Sequence, residues 1–187
     1  MDFEIRRLGR HELALAVDVW VRARWDAQPW LEERLGHTAE EDLAFFRDVV
    51  CVEHEVWIAA QGAGVLGLVA VGRGEDEAEV GTGEIGQLHV APAHQGQGVG
   101  SALLEKARSL FPEGLRLFTH QRNEKARRFY EARGFEAIRF GTSPPPENEP
   151  DVRYEWRRAP RSGPEAEPAG PDRQPGRARE PGDERSA

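Results

Sequence analysis

The chain lacks the features that would commit it to a disulfide framework, a metal cluster, a membrane or secretion. Cys51 is the sole cysteine among 187 residues, which excludes an intrachain disulfide and a cysteine-based metal site. No apolar run approaches the roughly 20 residues that a bilayer-spanning helix needs. The N-terminus does not show the basic and then apolar layout of a signal peptide. We therefore expect a cytoplasmic protein without a metal and without a membrane partner.

Lysine is also scarce, and arginine supplies nearly all of the positive charge. The chain has 25 Lys and Arg against 33 Asp and Glu, for a formal net charge of -8. Acidic and basic residues cancel within residues 158–187, so the excess of acid lies in residues 1–157. An acidic surface is a poor partner for nucleic acid and favours cationic molecules such as amines. We expect no nucleic-acid partner.

The C-terminal segment contains almost nothing that could form a core. Apart from prolines, its apolar residues from Pro160 onward are all alanines. Such a segment buries too little surface to offset the entropy lost on ordering. We expect one folded domain over residues 1–158 and a disordered tail rich in Pro, Gly, Arg and Glu over residues 159–187. The single P-x-x-P match in this tail, Pro168 to Pro171, is common by chance in such a composition and indicates no partner.

Within residues 1–157 strand-like and helix-like patterns alternate. Strands are predicted at 3–8, 56–60, 65–71, 84–90, 115–119, 135–140 and 152–156, and helices at 13–21, 39–50, 101–111 and 123–133. Thr38 is the expected N-cap of the second helix, and Gln61–Gly64 separates two apolar runs as a hairpin turn would. The strand at 84–90, the helix at 101–111 and the strand at 115–119 form an expected right-handed crossover. The pattern indicates a mixed α/β domain.

The most informative stretch is the glycine-rich segment Gln95–Ser101, which lies between a predicted strand and a predicted helix. A turn of this kind exposes backbone N–H groups at a helix N-terminus, where phosphate oxygens bind readily. A Walker A loop would need a lysine that is absent here, and a Rossmann fingerprint would need a different glycine spacing. The simpler alternative is a strand-to-helix turn in which glycine serves only the geometry. A phosphate-bearing cofactor is the sharper prediction.

Two motifs in order give a resemblance to a known family. Leu88-His89-Val90-Ala91-Pro92 is followed by Gln95-x-x-Gly98-x-Gly100, and Asn123-x-x-Ala126-x-x-Phe129-Tyr130-x-x-x-Gly134-Phe135 lies downstream. Together these segments resemble the Gcn5-related N-acetyltransferase (GNAT) family over residues 3–157. The resemblance implies an α/β (α+β) fold with a central mixed, mostly antiparallel sheet of six to seven strands. About four helices would flank this sheet, with strands 4 and 5 splayed apart.

The resemblance also implies that acetyl-CoA is the acyl donor. The cofactor-binding residues would be Leu88, His89, Val90, Gln95, Gly96, Gln97, Gly98, Val99, Gly100, Ser101, Asn123, Phe129 and Tyr130. The backbone of the first three would pair with the pantetheine arm as with an added strand, so the side chain of His89 is expected to be incidental. The glycine turn would hold the pyrophosphate. A backbone N–H near Val90 would polarise the thioester carbonyl.

Two side chains are candidate catalytic residues under this resemblance. The hydroxyl of Tyr130 would protonate the departing thiolate, since a phenol with an ordinary pKa of about 10 stays protonated at neutral pH. Glu84 would accept the proton of the attacking amine, with His120 as the reserve candidate. The alternatives are a Tyr130 that only packs in the core, an Asn123 that only caps its helix and a Glu84 that only faces solvent.

The acceptor is expected to be a primary amine of a small molecule or a protein, acetylated by direct transfer. In the family the acceptor pocket corresponds to residues 25–36, 72–83 and 141–151. Candidate features there are Trp25 and Trp30 as a cation-binding wall, or as core residues, and the acidic residues Glu75, Asp76, Glu77 and Glu79. A non-catalytic acyl-CoA sensor or interaction module with the same fold is the competing hypothesis. The chain is expected to be a monomer or a homodimer.

Overall fold

The computed structural model describes residues 2–74 and 82–158. The strands are β1 (Glu4–Arg7), β2 (Glu55–Gln61), β3 (Gly64–Arg73), β4 (Thr82–Val90), β5 (Gly114–His120), β6 (Glu136–Thr142) and β7 (Pro150–Arg157). The α-helices are α1 (Leu13–Ala27), α2 (Pro29–Leu35), α3 (Ala39–Phe45), α4 (Cys51–Glu53), α5 (Val99–Leu110) and α6 (Glu124–Glu131). Short 3-10 turns lie at Arg10–Glu12 and Pro92–His94. The predicted tail at 159–187 and the acidic residues Glu75, Asp76, Glu77 and Glu79 lie outside the described residues.

The seven strands form one sheet in the order β1-β2-β3-β4-β5-β7-β6. Every neighbouring pair is antiparallel except β4 and β5, which run parallel. The parallel pair is connected by α5, as the predicted crossover requires. The hairpin predicted around Gln61–Gly64 joins β2 to β3. The mixed, mostly antiparallel sheet confirms the predicted fold class.

The strands β4 and β5 separate partway along their length. Their pairing runs from Thr82 opposite Gly114 to Ile85 opposite Leu117 and then stops. Residues 87–90 of β4 stay paired to β3 on their other side, and residues 118–120 of β5 stay paired to β7. A wedge therefore opens between two strands of the same sheet. This gap is the predicted splay, and it positions the site described below.

Helices cover both faces of the sheet and give two hydrophobic layers. On one face Leu103, Leu104 and Ala107 of α5 are fully buried against apolar side chains of β3, β4, β5 and β7. On the other face Ala16 and Trp20 of α1 pack with the residues that follow α3 and with β2 and β3. The apolar stripe at helical spacing in residues 101–111 therefore faces the core as predicted. Among the described residues, no helix combines the length and the apolar character needed to cross a bilayer.

The helix predicted over residues 39–50 is more complex than its pattern indicates. Its N-cap is Thr38 as expected, in a reciprocal capping box in which Thr38 Oγ1 accepts from the Glu41 amide and Glu41 accepts from the Thr38 amide. The α-helix ends at Phe45 and continues as a π-helical turn, Phe46–Val50, before α4. Both ends of that turn are buried. The first helix is also longer than predicted, since α1 continues to Ala27.

Leu104 offers a test of the α5 packing. Its side chain is fully buried in the layer that joins α5 to the sheet. Leu104→Ala is expected to lower the free energy of unfolding by about 3 kcal/mol, because transfer free energy is lost and a cavity remains. Urea denaturation measures this change. The control Leu15→Ala removes the same atoms from a side chain that is 45% exposed and should change stability little; equal losses in the two variants would contradict the packing.

Candidate active site

A cleft of about 980 Å³ occupies the wedge between β4 and β5. Its walls come from β4 and β5 at the point of divergence, from α1 and α3 on one side, from α6 on the other, and from the loop between β6 and β7. The cleft therefore joins the segments that carry the two sequence motifs. It is the candidate active site.

The glycine turn that precedes α5 has the geometry of an anion-binding turn. Gly96 and Gly98 have positive φ angles of 74° and 86°, a region that side-chain-bearing residues rarely adopt. Space beside both glycines is open, since a Cβ added at either would meet no heavy atom within 4 Å. Gly98 is the N-cap of α5 and supplies no side-chain cap. The first amides of α5 have no partner within the helix and lie where its dipole is positive. The residues present therefore fit a phosphate-bearing group.

The polar side chains of this turn hold its shape. Gln95 Nε2 donates to the carbonyl of Val90 at 3.1 Å, and Gln97 Nε2 donates to the carbonyl of Ala93 at 2.8 Å. Ser101 Oγ accepts a hydrogen bond from Arg133 Nη2 at 2.7 Å, which ties α5 to the end of α6. These contacts brace the backbone. Any contact with a ligand is therefore expected mainly from main-chain amides.

The second motif lies directly beside the first. A Cβ at Gly100 would sit 3.3 Å from the ring of Phe129, so α5 and α6 approach closely because residue 100 is glycine. The Asn123 side chain accepts from the Ala126 amide at 3.1 Å and caps α6, while the residue also lines the cleft. The helix-cap alternative for Asn123 is thus present in the structure. Its contact with a cofactor remains a prediction.

Tyr130 is buried at the wall of the cleft. Only 7% of it is exposed, and its ring contacts Phe129, Phe135 and Tyr154 with centroids 5.2 to 6.4 Å apart. Burial raises the pKa of its phenol well above the ordinary value, since the phenolate is desolvated. Its hydroxyl has no hydrogen-bond partner within residues 2–74 and 82–158. The ring therefore packs in the core, as the packing alternative for Tyr130 predicts. The residue also lines the cleft, as a proton donor would.

The side chain of His89 also makes a contact in the site. Its Nε2 lies 2.9 Å from Gln87 Oε1, which also accepts from Trp20 Nε1 at 2.9 Å. Because an indole N–H only donates, the amide oxygen of Gln87 is fixed in place, and the imidazole must donate to it from Nε2. Desolvation lowers the pKa of His89 to about 3, so the ring is neutral. This side chain therefore helps to join β4 to α1, while the expectation that only its backbone serves the cofactor remains a prediction.

The structure places Glu84 on the closed part of the sheet. It lies where β4 and β5 are still paired, opposite Arg116, and its Oε2 accepts from Arg116 Nε at 2.7 Å. Arg116 is 7% exposed, so Glu84 helps to balance a buried cation. The neighbouring Ile85 lines the cleft, but Glu84 itself is not part of the wall. Among the predicted catalytic residues, Tyr130 faces the cleft and Glu84 does not.

His120, the reserve candidate, faces the cleft from the end of β5. It is 9% exposed and contacts two other lining residues. Its Nε2 lies 3.0 Å from Glu147 Oε2, and its Nδ1 contacts Gln28 Oε1. The hydrogen bond from His120 lowers the pKa of the Glu147 carboxyl. Both partners are oxygen atoms, so each ring nitrogen of His120 is engaged with a hydrogen-bond acceptor.

A buried charge cluster on the opposite wall was not predicted. Arg24 of α1 lies 4.3 Å from the Trp20 ring centroid and pairs with Glu32 through Nη2 and Oε1 at 2.7 Å. Its Nη1 lies 3.7 Å from Asp42 Oδ1. Asp42 follows two glutamates at the start of α3, where acidic residues favour the helix dipole, so its sequence context indicated a solvent-exposed helix start. Among the described residues no group of three or more His, Cys, Asp or Glu is placed to hold a metal.

The three segments predicted to form the acceptor pocket contribute unequally to the wall of the cleft. Residues 142–147 and 151 line the cleft, as do Gln28 and Leu35 from the first segment. Trp25 is 44% exposed and Trp30 lies under Arg122 at 4.5 Å, and neither lines the cleft. Of residues 72–83, the part at 75–81 lies outside the described residues. The predicted cation-binding wall of Trp25 and Trp30 is therefore not part of the cleft, and residues of α3 line the cleft instead.

Comparison with known proteins gives one family for this geometry. Residues 52–137 match the model of the acetyltransferase (GNAT) domain. The chain is 24% identical over 134 residues to the peptidyl-lysine N-acetyltransferase YiaC of Escherichia coli, an alignment that covers 72% of this chain and 84% of that protein. Residues 52–137, which match the family model, contain β2 to β5, the glycine turn and the second motif.

Solved structures share the fold at low sequence identity. The PaiA N-acetyltransferase from Thermoplasma acidophilum, solved with coenzyme A, is 17% identical with a TM-score of 0.61, over 84% of this chain and 100% of that one. YncA from Salmonella typhimurium, solved with its cofactor acetyl-CoA, is 17% identical with a TM-score of 0.64, over 89% and 99% of the two chains. The fold around the cleft is therefore that of known acetyltransferases.

Proposed function

Because this chain contains a GNAT acetyltransferase domain and is an N-acetyltransferase, we propose that it moves an acetyl group from acetyl-CoA directly to a primary amine of a small molecule or a protein. The observation that carries the proposal is the cleft between the unpaired edges of β4 and β5, with Tyr130 on its wall. The open glycine turn follows β4 in the chain, at the start of α5. Acceptor and donor would then meet without a covalent enzyme intermediate.

Donor binding is assigned to the two motifs. The amides that follow Gly98 would hold the pyrophosphate, and the backbone of Leu88–Val90 would pair with the amides of the pantetheine arm. The wedge leaves that edge of β4 without a strand partner on the β5 side. Acetyl-CoA supplies an acetyl group activated as a thioester. A backbone N–H near Val90 is the proposed donor to the thioester carbonyl oxygen.

The proton movements are assigned to Tyr130 and His120. An amine attacks only in its neutral form, whereas a free alkylammonium is largely protonated at neutral pH. We place proton acceptance at the imidazole of His120, directly or through a water, with Glu147 stabilising the imidazolium that forms. Glu84 remains the competing acceptor, and its pairing with Arg116 makes it the weaker one. The neutral phenol of Tyr130 is the proposed donor to the thiolate leaving group.

The direct test is thiol release from acetyl-CoA across a panel of amines and lysine peptides, with mass spectrometry of the products. The proposed function requires acetyl-CoA-dependent N-acetylation of at least one acceptor. Tight CoA binding by calorimetry without turnover on any acceptor would instead support the non-catalytic acyl-CoA sensor.

A matched pair at Gly98 tests the pyrophosphate site. Gly98→Asp and Gly98→Asn have nearly the same shape, and both types tolerate a positive φ better than other residues do. The aspartate adds a negative charge in open space beside the first amides of α5. Repulsion across about 4 Å should weaken CoA binding about 30-fold relative to the asparagine variant. Calorimetric Kd values measure the effect, and equal affinity in the two variants would move the pyrophosphate elsewhere.

A further inference from the structure

Asp42 is the most unusual side chain in the cleft. It lines the wall from α3, yet it is only 6% exposed. Its Oδ1 is buried and accepts no hydrogen bond from any residue in 2–74 or 82–158. Nearly all buried polar atoms in proteins have a partner, and a buried carboxylate without one is costly. An oxygen of this kind, in a residue of the cleft wall, indicates a position where a ligand can supply the missing hydrogen bond.

The surrounding charges leave Asp42 incompletely neutralised. The basic groups beside it are Arg24 Nη1 and His37 Nδ1, each 3.7 Å from Oδ1, which is too long for a hydrogen bond. Arg24 is closer to Glu32, at 2.7 Å, so one guanidinium faces two buried carboxylates. The adjacent Glu41 also lines the cleft, and its carboxylate caps the start of α3. Three carboxyl groups, those of Glu32, Glu41 and Asp42, and the one guanidinium of Arg24 therefore lie on the acceptor side.

We propose that Asp42 forms a subsite for a second positive charge on the acceptor, so that the preferred substrate is a primary amine whose chain carries another cationic group. The inference rests on the proposed function for the role of the first amine. Arg24 positions the carboxylate, because its contacts with Glu32 and the Trp20 ring fix the guanidinium. An ammonium or guanidinium group can supply the hydrogen bond that Oδ1 lacks, together with the compensating charge.

The second cation could come from a free diamine or from a basic residue beside a lysine. The panel therefore pairs straight-chain diamines of two to six carbons with the monoamines of equal length. A second arm pairs short lysine peptides with and without a neighbouring arginine. We expect kcat/KM for the best two-cation acceptor to exceed that of its one-cation partner about 10-fold, and the arm in which this occurs identifies the source.

Asp42→Asn keeps the shape and removes the charge. We expect the ratio between two-cation and one-cation acceptors to fall toward one in this variant. Glu40→Gln is the matched control, since Glu40 is an exposed carboxylate on the same helix outside the cleft wall, and there the ratio should persist. High salt should also reduce the ratio in the wild-type protein, which tests the charge without a substitution. Equal use of both acceptor types by the wild type, or a ratio that survives in Asp42→Asn, would overturn the proposal.

Calorimetry of acceptor binding separates this proposal from the proposed function. The wild-type protein with CoA should bind the best diamine at least about 10-fold more tightly than Asp42→Asn does. A complete lack of acetyl transfer would defeat the proposed function, whereas the binding difference would still support the cation subsite. Equal diamine binding by the two proteins would defeat the subsite even if acetyl transfer occurs.

Discussion

Tyr130→Phe is expected to lower kcat about 100-fold while the Kd for CoA stays close to that of the wild type. The substitution removes one oxygen and keeps the ring that packs against Phe129, Phe135 and Tyr154. A positioned general acid contributes about 10²–10⁴-fold, and the lower end applies because the raised pKa of this buried phenol makes it a weak acid. The neutral hydroxyl then acts mainly as a hydrogen bond donor as charge builds on the leaving sulfur.

Tyr154→Phe is the matched control for this prediction. Tyr154 is fully buried, but its hydroxyl contacts Arg127 and Glu131 and the residue does not line the cleft. Its loss should reduce stability and leave kcat nearly unchanged. Pre-steady-state thiol release separates chemistry from product release. Turnover in Tyr130→Phe equal to that of the wild type would return Tyr130 to a packing role.

His120→Asn is expected to lower kcat by about 100-fold, because a general base contributes about 10²–10⁴-fold. The Kd for CoA should stay close to that of the wild type, since His120 belongs to neither of the two cofactor motifs. Thiol release at saturating acceptor measures kcat, and turnover equal to that of the wild type would remove His120 from the proposed mechanism.

Glu84→Gln tests the competing assignment, in which Glu84 accepts the amine proton. If His120 is the proton acceptor, this variant keeps most of the wild-type kcat, and any loss it shows follows the stability of the Glu84–Arg116 pair. A large loss of kcat in Glu84→Gln with little loss in His120→Asn would instead assign proton acceptance to Glu84. Glu147→Gln should resemble a weaker His120→Asn, since its carboxylate contacts Nε2 rather than the substrate.

Local patterns were sufficient to predict the strands, the crossover and the glycine turn. Gly98 has the positive φ that makes glycine necessary at this point, and Leu103 and Leu104 lie on the buried stripe of α5 that their spacing indicates. The apolar runs on either side of Gln61–Gly64 pair as a hairpin. Such features depend on residues close in sequence, so propensity and periodicity contain most of the information needed to predict them.

The charged side chains of the cleft could not be predicted in the same way. Glu84 and Arg116 are 32 residues apart, and only the parallel register of β4 and β5 brings them together. Arg24, Glu32 and Asp42 belong to three different helices, and their charges give no periodic signal in the sequence. Their meeting depends on how α1, α2 and α3 pack. The acceptor side of the site was therefore the part that the sequence could not resolve.

Contacts of Arg34 hold the loop between β6 and β7 on the acceptor side of the cleft. Arg34 at the end of α2 pairs with Glu149 at 2.8 Å and also contacts the carbonyl of Glu147, so it joins α2 to the loop between β6 and β7. That loop is further held by a hydrogen bond from the Ser143 amide to the Glu149 carbonyl at 2.8 Å. Because folding already orders the loop between β6 and β7, acceptor binding is expected not to carry the entropic cost of immobilising this loop. On this side of the cleft, selection among amines should then follow their fit and charge rather than an ability to close the loop.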